Sequence, residues 1–276
     1  MRTISLLAPA RVVITVLSLC LTPFAAAPAV AAPTEVDCTK CHARLVVRMN
    51  FVHAPLQRGC PYCHTGIAVA RKVPHKKTNA ITKGLSAEQP ELCYGCHDRR
   101  EFTKKVVHAA VAMGCTGCHT PHAGNNEKLL IAAVPDLCFN CHDKGEFTKT
   151  KKHSPAEAGR CLTCHDPHSS DYPGILVKSP YEICLDCHGP VKKSSHAGGV
   201  FGKAGHSLGG ERPMKGAGKE PVKDPRRKGR IFSCASCHNP HSSGEIKLFR
   251  YPAKTPSQLC SSCHATKAVG STGGVP

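Results

Sequence analysis

The chain has 276 residues, with 19 Cys, 18 His, no Trp and a formal net charge of +18. It holds only 8 Phe and 5 Tyr against 24 Gly and 22 Pro. This composition excludes a conventional apolar core for a chain of this length, so disulfides, metal or a covalent cofactor must supply buried volume. The positive charge by itself suggests nucleic acid or anionic lipid as a partner.

The N-terminus, residues 1–31, is predicted to be an export signal. Arg2 and Arg11 precede the apolar residues 12–21, and a small-residue cleavage site places the mature N-terminus near Ala32. The apolar run is short for a membrane span, which makes a transmembrane anchor the weaker alternative. Export predicts the periplasm, with the cell exterior or the outer-membrane surface as the alternative.

The cysteines follow one repeated pattern. Apart from Cys20, which lies in the predicted signal, they form nine C-x-x-C pairs, and His follows every pair at once. The nine motifs are Cys38-Cys41-His42, Cys60-Cys63-His64, Cys93-Cys96-His97, Cys115-Cys118-His119, Cys138-Cys141-His142, Cys161-Cys164-His165, Cys184-Cys187-His188, Cys234-Cys237-His238 and Cys260-Cys263-His264.

C-x-x-C-H is the attachment sequence of c-type haem. Two thiols three residues apart face the same way on a helical turn, so both can form thioethers with one haem edge, and the next His becomes the proximal iron ligand. Redox dithiols, zinc knuckles and disulfides are the alternatives, but none of them requires His after each second Cys. The sequence therefore predicts nine covalent haem c groups.

Nine histidines remain outside the motifs, one for each predicted haem. They are His53, His75, His108, His122, His153, His168, His196, His206 and His241. The rival ligands Met49, Met113 and Met214 recur at no fixed offset. We therefore predict two His ligands for every iron, which favours low reduction potentials.

The spacing of these histidines falls into two sets. One set lies 11 residues after a proximal His: His53, His75, His108 and His153. The other lies three residues after a proximal His, in C-H-x-P-H: His122, His168 and His241. A ring so close to its own motif cannot easily reach the far face of the same haem, so the second set is predicted to ligate a neighbouring haem. Two histidines fit neither set: His196 lies eight residues after His188, and His206 is the inter-motif His of the copy that carries the insertion.

The motifs also define sequence repeats across the mature region, residues 32–276. Four couplets are expected at about 38–92, 93–137, 138–183 and 184–259, with a half unit at 260–276. At this density the fold is predicted to be mostly irregular and otherwise all-α, with little or no sheet: short helices and long loops wrapped around a chain of covalent haems. Phe102 and Phe147 occupy matching positions and are expected to pack on haem faces.

The insertion at residues 189–233 is rich in Gly, Lys and Arg. It is interpreted as a solvated loop, or alternatively as a docking surface for an acidic redox partner or a clamp on haem propionates.

The pattern of C-x-x-C-H, spaced His and C-x-x-C-H-x-P-H resembles the doubled-CXXCH multihaem cytochromes c, which are akin to cytochrome c3-type carriers. The resemblance covers residues 36–264 and is closest where Asp224-Pro225-Arg226-Arg227 precedes Ser233–His241. It implies covalent haem c, bis-His ligation and electron transfer in the periplasm or outside the cell. The first couplet and His196 depart from the family pattern.

These observations predict an electron carrier rather than an enzyme. A reductase for nitrite, hydroxylamine or another small oxyanion is the alternative and would need one haem with an open position; a conductive filament is a third. The expected partners are other redox proteins, a membrane quinol oxidase-type donor and a periplasmic or outer-membrane cytochrome acceptor. Nucleic acid is not expected, because the 18 propionates of nine haems would offset most of the positive charge, which is +16 once Arg2 and Arg11 of the predicted signal are left out of the +18.

Overall fold

The computed structural model describes residues 36–68, 73–193, 195–196, 199–200, 206 and 222–264. The chain divides into two units, Met1–Val36 and Asp37–Pro276. The predicted export signal, Cys20 and much of the basic insertion lie outside the described residues, so the expectations for them stay predictions.

Helices in the described ranges are single turns. The α-helices are α1 Thr39–His42, α2 Glu91–Tyr94, α3 Asp136–Phe139, α4 Ser154–Glu157, α5 Glu182–Leu185, α6 Cys234–Cys237 and α7 Pro256–Cys260. The 3-10 helices are Ala43–Leu45, Ala54–Arg58, Cys60–Tyr62, Thr82–Gly84, Arg99–Phe102, Ala109–Met113, Cys115–Gly117, Glu127–Leu129, Lys144–Phe147, Cys161–Thr163, Gly189–Lys193 and Ile246–Leu248.

Each C-x-x-C-H motif is closed by the same main-chain hydrogen bond. The N–H of the motif His donates to the carbonyl of the first Cys four residues earlier, as in His42 to Cys38 at 2.9 Å and His264 to Cys260 at 2.9 Å. The other seven motifs have the same bond at 2.9–3.0 Å. This single turn holds both thiols and the imidazole on one short stretch of chain.

The strands are two residues long and pair antiparallel. They are β1 Phe51–Val52, β2 Val106–Val107, β3 Ala123–Gly124, β4 Lys151–Lys152, β5 Ser169–Ser170, β6 Ser195–His196, β7 Gly199–Val200 and β8 Ser242–Ser243. The pairs are β1 with β3, β2 with β5, β4 with β8 and β6 with β7.

Three of these strand pairs join neighbouring repeats at equivalent positions. Val107 pairs with Ser169, and Lys152 pairs with Ser242 in the next copy. Val52 pairs with Ala123 at the first junction. Each pair lies directly before an inter-motif His and directly after a C-H-x-P-H His, so the pairing sets two of the predicted distal ligands side by side.

Few apolar side chains are buried in the described part of the chain. They are Ala123, Leu185, Phe232, Phe249 and Ala253. The two most completely buried side chains are serines, Ser169 and Ser242, each 0% exposed. The predicted fold class is confirmed: short helical turns, long loops and only two-residue strand pairs, with no conventional core of their own.

Within the described residues, no helix has the length and apolar character needed to cross a membrane.

Candidate functional site

The 18 histidines of the nine motifs and their predicted distal partners meet in nine pairs. Each pair joins one motif His with one other His, with ring centroids 5.8–6.2 Å apart. In motif order the pairs are His42 with His75, His64 with His122, His97 with His53, His119 with His168, His142 with His108, His165 with His241, His188 with His153, His238 with His196 and His264 with His206.

This spacing fits one metal ion between two imidazoles. A metal–imidazole bond is about 2 Å long, so two rings on opposite sides of one metal have centroids about 6 Å apart once the radius of each ring is added. The two thiols beside each motif ring are the groups that would hold the haem edge. The residues present therefore fit haem c at each motif, and the assignment of these rings as iron ligands stays a prediction.

The ring pairs cross from repeat to repeat by a simple rule. We number the motifs 1 to 9 in chain order. The motif His of motifs 2, 4 and 6 faces the C-H-x-P-H ring two motifs later, as His119 faces His168. The motif His of motifs 3, 5, 7 and 9 faces an inter-motif ring from earlier in the chain, as His142 faces His108. Neighbouring repeats are thus interleaved through their side chains.

Motifs 1 and 8 are paired in another way. The sequence has no His before His42 and no motif after motif 9, so the rule supplies neither of these two motifs with a partner. His75 takes the place opposite His42, and His196 takes the place opposite His238. His75 and His196 therefore complete the pairs of the two motifs for which the rule provides no facing ring.

The motif rings of the even-numbered motifs are anchored by main-chain carbonyls. His64 donates from Nδ1 to Lys83 at 3.0 Å, and His119 donates to Lys128 at 2.8 Å. His165 bonds Gly174 and His238 bonds Lys247 in the same way, at 2.9 and 2.8 Å. This bond leaves Nε2 for the metal and fixes the tautomer and orientation of the ring.

The acceptor carbonyls lie in a repeated left-handed turn. Lys128 and Leu129 both have positive φ, at 56° and 57°, and Lys247 and Leu248 repeat this at 50° and 57°. Left-handed backbone costs roughly 1–2 kcal/mol for each non-Gly residue. In each turn the carbonyl of the first residue accepts the hydrogen bond from the motif His. The strained backbone is therefore the part of the chain that orients the predicted iron ligand.

In motifs 3, 5 and 7 the anchored ring is the other member of the pair. His53, His108 and His153 donate from Nδ1 to the carbonyls of Pro121, Pro167 and Pro240 at 2.9, 2.9 and 2.8 Å. Each Pro comes directly before a C-H-x-P-H His. The same geometry recurs in all three contacts. It gives the Pro of C-H-x-P-H a role, because the carbonyl of this Pro orients the ring of a neighbouring pair.

Burial keeps several of these rings neutral, as a metal ligand must be. Burial lowers the pKa of His241 to about 4, with the facing His165 as the next cause. It also lowers the pKa of His122, His168 and His238.

The thiols of consecutive motifs are close neighbours. Burial and the Cys115 thiol raise the pKa of Cys93 to about 11, with Cys63 as a further cause, and burial and Cys161 raise that of Cys138 to about 11, with Cys118 contributing. The remaining junctions show the same proximity. Burial and the next motif's thiol raise the pKa of Cys38 beside Cys60 and of Cys164 beside Cys184, and burial with the thiols of Cys263 and Cys260 raises that of Cys237. A hydrogen bond with Cys234, followed by burial, raises the pKa of Cys184. Every motif therefore adjoins the next one in chain order.

Phe102 and Phe147 pack on distal rings. Phe102 lies 4.8 Å from His168, and Phe147 lies 4.5 Å from His241, measured between ring centroids. Their contact with haem faces stays a prediction. Both side chains support the ring of the C-H-x-P-H set.

No disulfide joins any two of the described cysteines. Among the same residues, no group of three or more His, Cys, Asp or Glu side chains converges on one point, as a zinc site would require. The imidazoles converge in twos, which is the arrangement of an axially ligated haem.

The sequence reasoning missed the serines that lock the repeats together. Ser169 donates to the carbonyl of Glu101 at 2.8 Å and accepts from the N–H of Lys104 at 3.1 Å. Ser242 makes the same two bonds with Glu146 and Lys149, at 2.7 and 3.2 Å. The signal was present, because a Ser follows His168 and His241 directly, whereas Ala123 follows His122.

Paired rings beside thiol pairs on single helical turns define a multihaem c-type cytochrome that carries electrons. Four segments, residues 53–102, 108–147, 153–193 and 224–269, match the family described as doubled CXXCH motif, and together they span more than half of the chain. The chain belongs to this family, whose motifs bind haem c covalently. No curated protein matches the chain.

The segments matched by the family model begin one motif later than the couplets expected from the sequence. Its first three segments each begin at an inter-motif His and end just after the motif whose ring that His faces, as His108 and His142 do in 108–147. Motif 1 lies before the first match. The periodic pattern admits both divisions, and the family's division encloses one complete ring pair in each of these three units.

Proposed function

We propose that the protein is a nonahaem electron-transfer cytochrome whose haems are all bis-His ligated. The observation that carries the proposal is the set of nine ring pairs at 5.8–6.2 Å, each beside its own C-x-x-C pair. Haem supplies an iron that cycles between the ferric and ferrous states. The chain supplies two neutral imidazoles for each iron and carbonyl anchors that hold them.

The haems are proposed to form one chain in sequence order, from motif 1 to motif 9. The proximity of the thiols of consecutive motifs supports this order, because the thiols mark the haem edge that each motif holds. Electrons would then pass between adjacent haems, so that the length of the array becomes a conduction distance.

Electron transfer is also supported by the completeness of the pairing. Within one chain every motif ring meets a second ring, so no ligand has to come from another copy. A carrier of this kind needs no substrate pocket. We propose that it works in the periplasm or at the cell surface, between a membrane donor and a cytochrome acceptor, because residues 1–31 carry an export pattern.

The test is a haem count combined with a spin-state measurement. Mass spectrometry of the purified holoprotein and a pyridine haemochrome assay should give nine covalent haems per chain. Electron paramagnetic resonance of the oxidised protein should show low-spin ferric haem throughout. Fewer haems would overturn the count, and a substantial high-spin signal would overturn complete bis-His ligation.

A further inference from the structure

Most ring pairs contain one anchored ring. In motifs 2, 4, 6 and 8 a carbonyl bonds Nδ1 of the motif His, and in motifs 3, 5 and 7 a carbonyl bonds Nδ1 of the facing His. The pair of motif 9 adjoins residues outside the described ranges. Motif 1 is the exception among the other eight.

Neither ring of motif 1 bonds a carbonyl through Nδ1 within the described part of the chain. His42 is exposed to solvent. The Nδ1 atom of His75 is buried and has no hydrogen-bond partner there. The two rings are tilted by 45°, close to the 42° between His165 and His241, so the missing anchor and not the tilt distinguishes motif 1. A buried donor without a partner is costly and leaves the orientation of the ring undetermined.

His75 also lies on a segment that other repeats lack. The chain runs 29 residues from His64 to Cys93, but 19 residues from His119 to Cys138. The extra length brings His75 to motif 1 without the β pair and the Pro carbonyl that position His53, His108 and His153. The described part of this segment is closed on itself beside His75, by the bridge of Ile67 with Lys77 and by the bond from Ala68 N–H to the Lys76 carbonyl.

We propose that His75 is an exchangeable ligand and that the first haem binds a small neutral diatomic molecule, such as carbon monoxide or nitric oxide, in its place. This rests on the proposed bis-His function. Partners of the outer shell typically alter metal affinity by about 10- to 100-fold, so a ring without one is the weakest of the set. At motifs 2 to 8 one ring of each pair has a carbonyl partner, and among the described histidines only His75 has a buried Nδ1 atom without a partner, so motif 1 is the pair with the least support against exchange.

The exchange is a ligand substitution on ferrous iron. The bond from iron to Nε2 of His75 breaks, a bond from iron to the carbon of carbon monoxide forms, and the imidazole leaves neutral. No electron is transferred in this step, and the iron is already reduced by the donor.

The position at the end of the array suits such a site. Among the described thiols, Cys60 of motif 2 is the neighbour of Cys38 in motif 1, so in the proposed order a changed ligand at motif 1 leaves the path from motif 2 to motif 9 intact. Binding of the diatomic molecule would therefore change the potential of the first haem, while electron transfer between motifs 2 and 9 continues.

The experiment counts carbon monoxide on the full holoprotein reduced with dithionite. Haem is first counted by pyridine haemochrome, which tests the proposed function separately. The wild-type protein should take up one carbon monoxide per nine haems. His75→Ala should also take up one, at least about 10-fold faster because no ring has to leave, and should show one high-spin haem when oxidised.

The matched control is His108→Ala, which removes an anchored ring opposite motif 5. It should take up two molecules of carbon monoxide, one at each open haem. No uptake by the wild type, or uptake of two molecules by His75→Ala, would overturn the proposal, since the exchangeable ligand would then lie elsewhere or nowhere. Should His75→Ala not accumulate, His75→Met keeps a weaker ligand; it should take up one molecule faster than the wild type, and unchanged kinetics would equally overturn the proposal.

Discussion

The main-chain N–H of His108 donates to the carbonyl of His168 at 2.8 Å, and this bond joins two rings that face different motifs. His108 faces His142, and His168 faces His119. The same bond recurs from His53 to His122 at 2.8 Å and from His153 to His241 at 3.0 Å. The predicted distal ligands of neighbouring haems are therefore joined in hydrogen-bonded pairs, and each pair links one repeat to the next.

The crossing of ligands between repeats can be tested with a double-mutant cycle. His168→Ala should produce one high-spin haem, because His119 of motif 4 loses its facing ring. In a background that lacks the motif 4 haem, made by Cys115→Ser with Cys118→Ser, His168→Ala should add no high-spin signal. Electron paramagnetic resonance with haem counting measures both.

A new high-spin signal in that background would mean that His168 serves another haem. Met113→Ala is the control, because Met113 is 66% exposed and lies near the same motif. It should leave the spin state unchanged.

The buried serines are expected to stabilise the contacts between repeats. Ser169→Ala removes the donor to Glu101 and leaves the N–H of Lys104 without its acceptor, which should cost about 1–3 kcal/mol in the free energy of unfolding. Ser242→Ala should have a similar effect at the next junction. Denaturant unfolding of the holoprotein measures the change, and exposed Ser86→Ala should stay near the wild-type value. Equal stability of all three variants would rule out a locking role.

The left-handed turn at Lys128 should tune one haem through His119. Lys128→Gly keeps the turn, since Gly174 holds the equivalent place opposite His165. Lys128→Ile forces a β-branched residue into the same backbone region and should weaken the bond to His119. A less basic imidazole stabilises ferric iron less, so the potential of that haem should rise by tens of mV, at about 59 mV per tenfold change in relative affinity.

A spectroelectrochemical titration of the holoprotein measures this shift. One component of the titration should move in Lys128→Ile and none in Lys128→Gly. If both variants titrate like the wild type, the turn does not tune the haem.

Phe147 should support the ring of His241 by packing. Phe147→Ala is expected to lower the free energy of unfolding by about 1–3 kcal/mol, less than the roughly 3–5 kcal/mol of a fully buried Phe, because the side chain is only partly buried. Phe147→Leu retains most of the apolar volume and should cost less. Denaturant unfolding distinguishes the two, and an equal loss in both would point to the aromatic contact rather than to volume.

Local sequence determined the attachment chemistry of this protein. The C-x-x-C-H pattern folds within one helical turn, closed by a bond between residues four apart, so nothing distant is required. The equal numbers of motif and other histidines, and the shortage of apolar residues, likewise predicted a loop-rich fold with one spare ring for each motif.

The partner of each ring was decided only by the tertiary structure. His165 and His241 face each other across 76 residues of sequence, and no local spacing states which of several similar histidines arrives there. The carbonyl anchors depend on chain crossings and on a left-handed turn. Motif chemistry is local, whereas ligand pairing depends on the path of the chain between repeats, and that path gives His75 its place without an anchor.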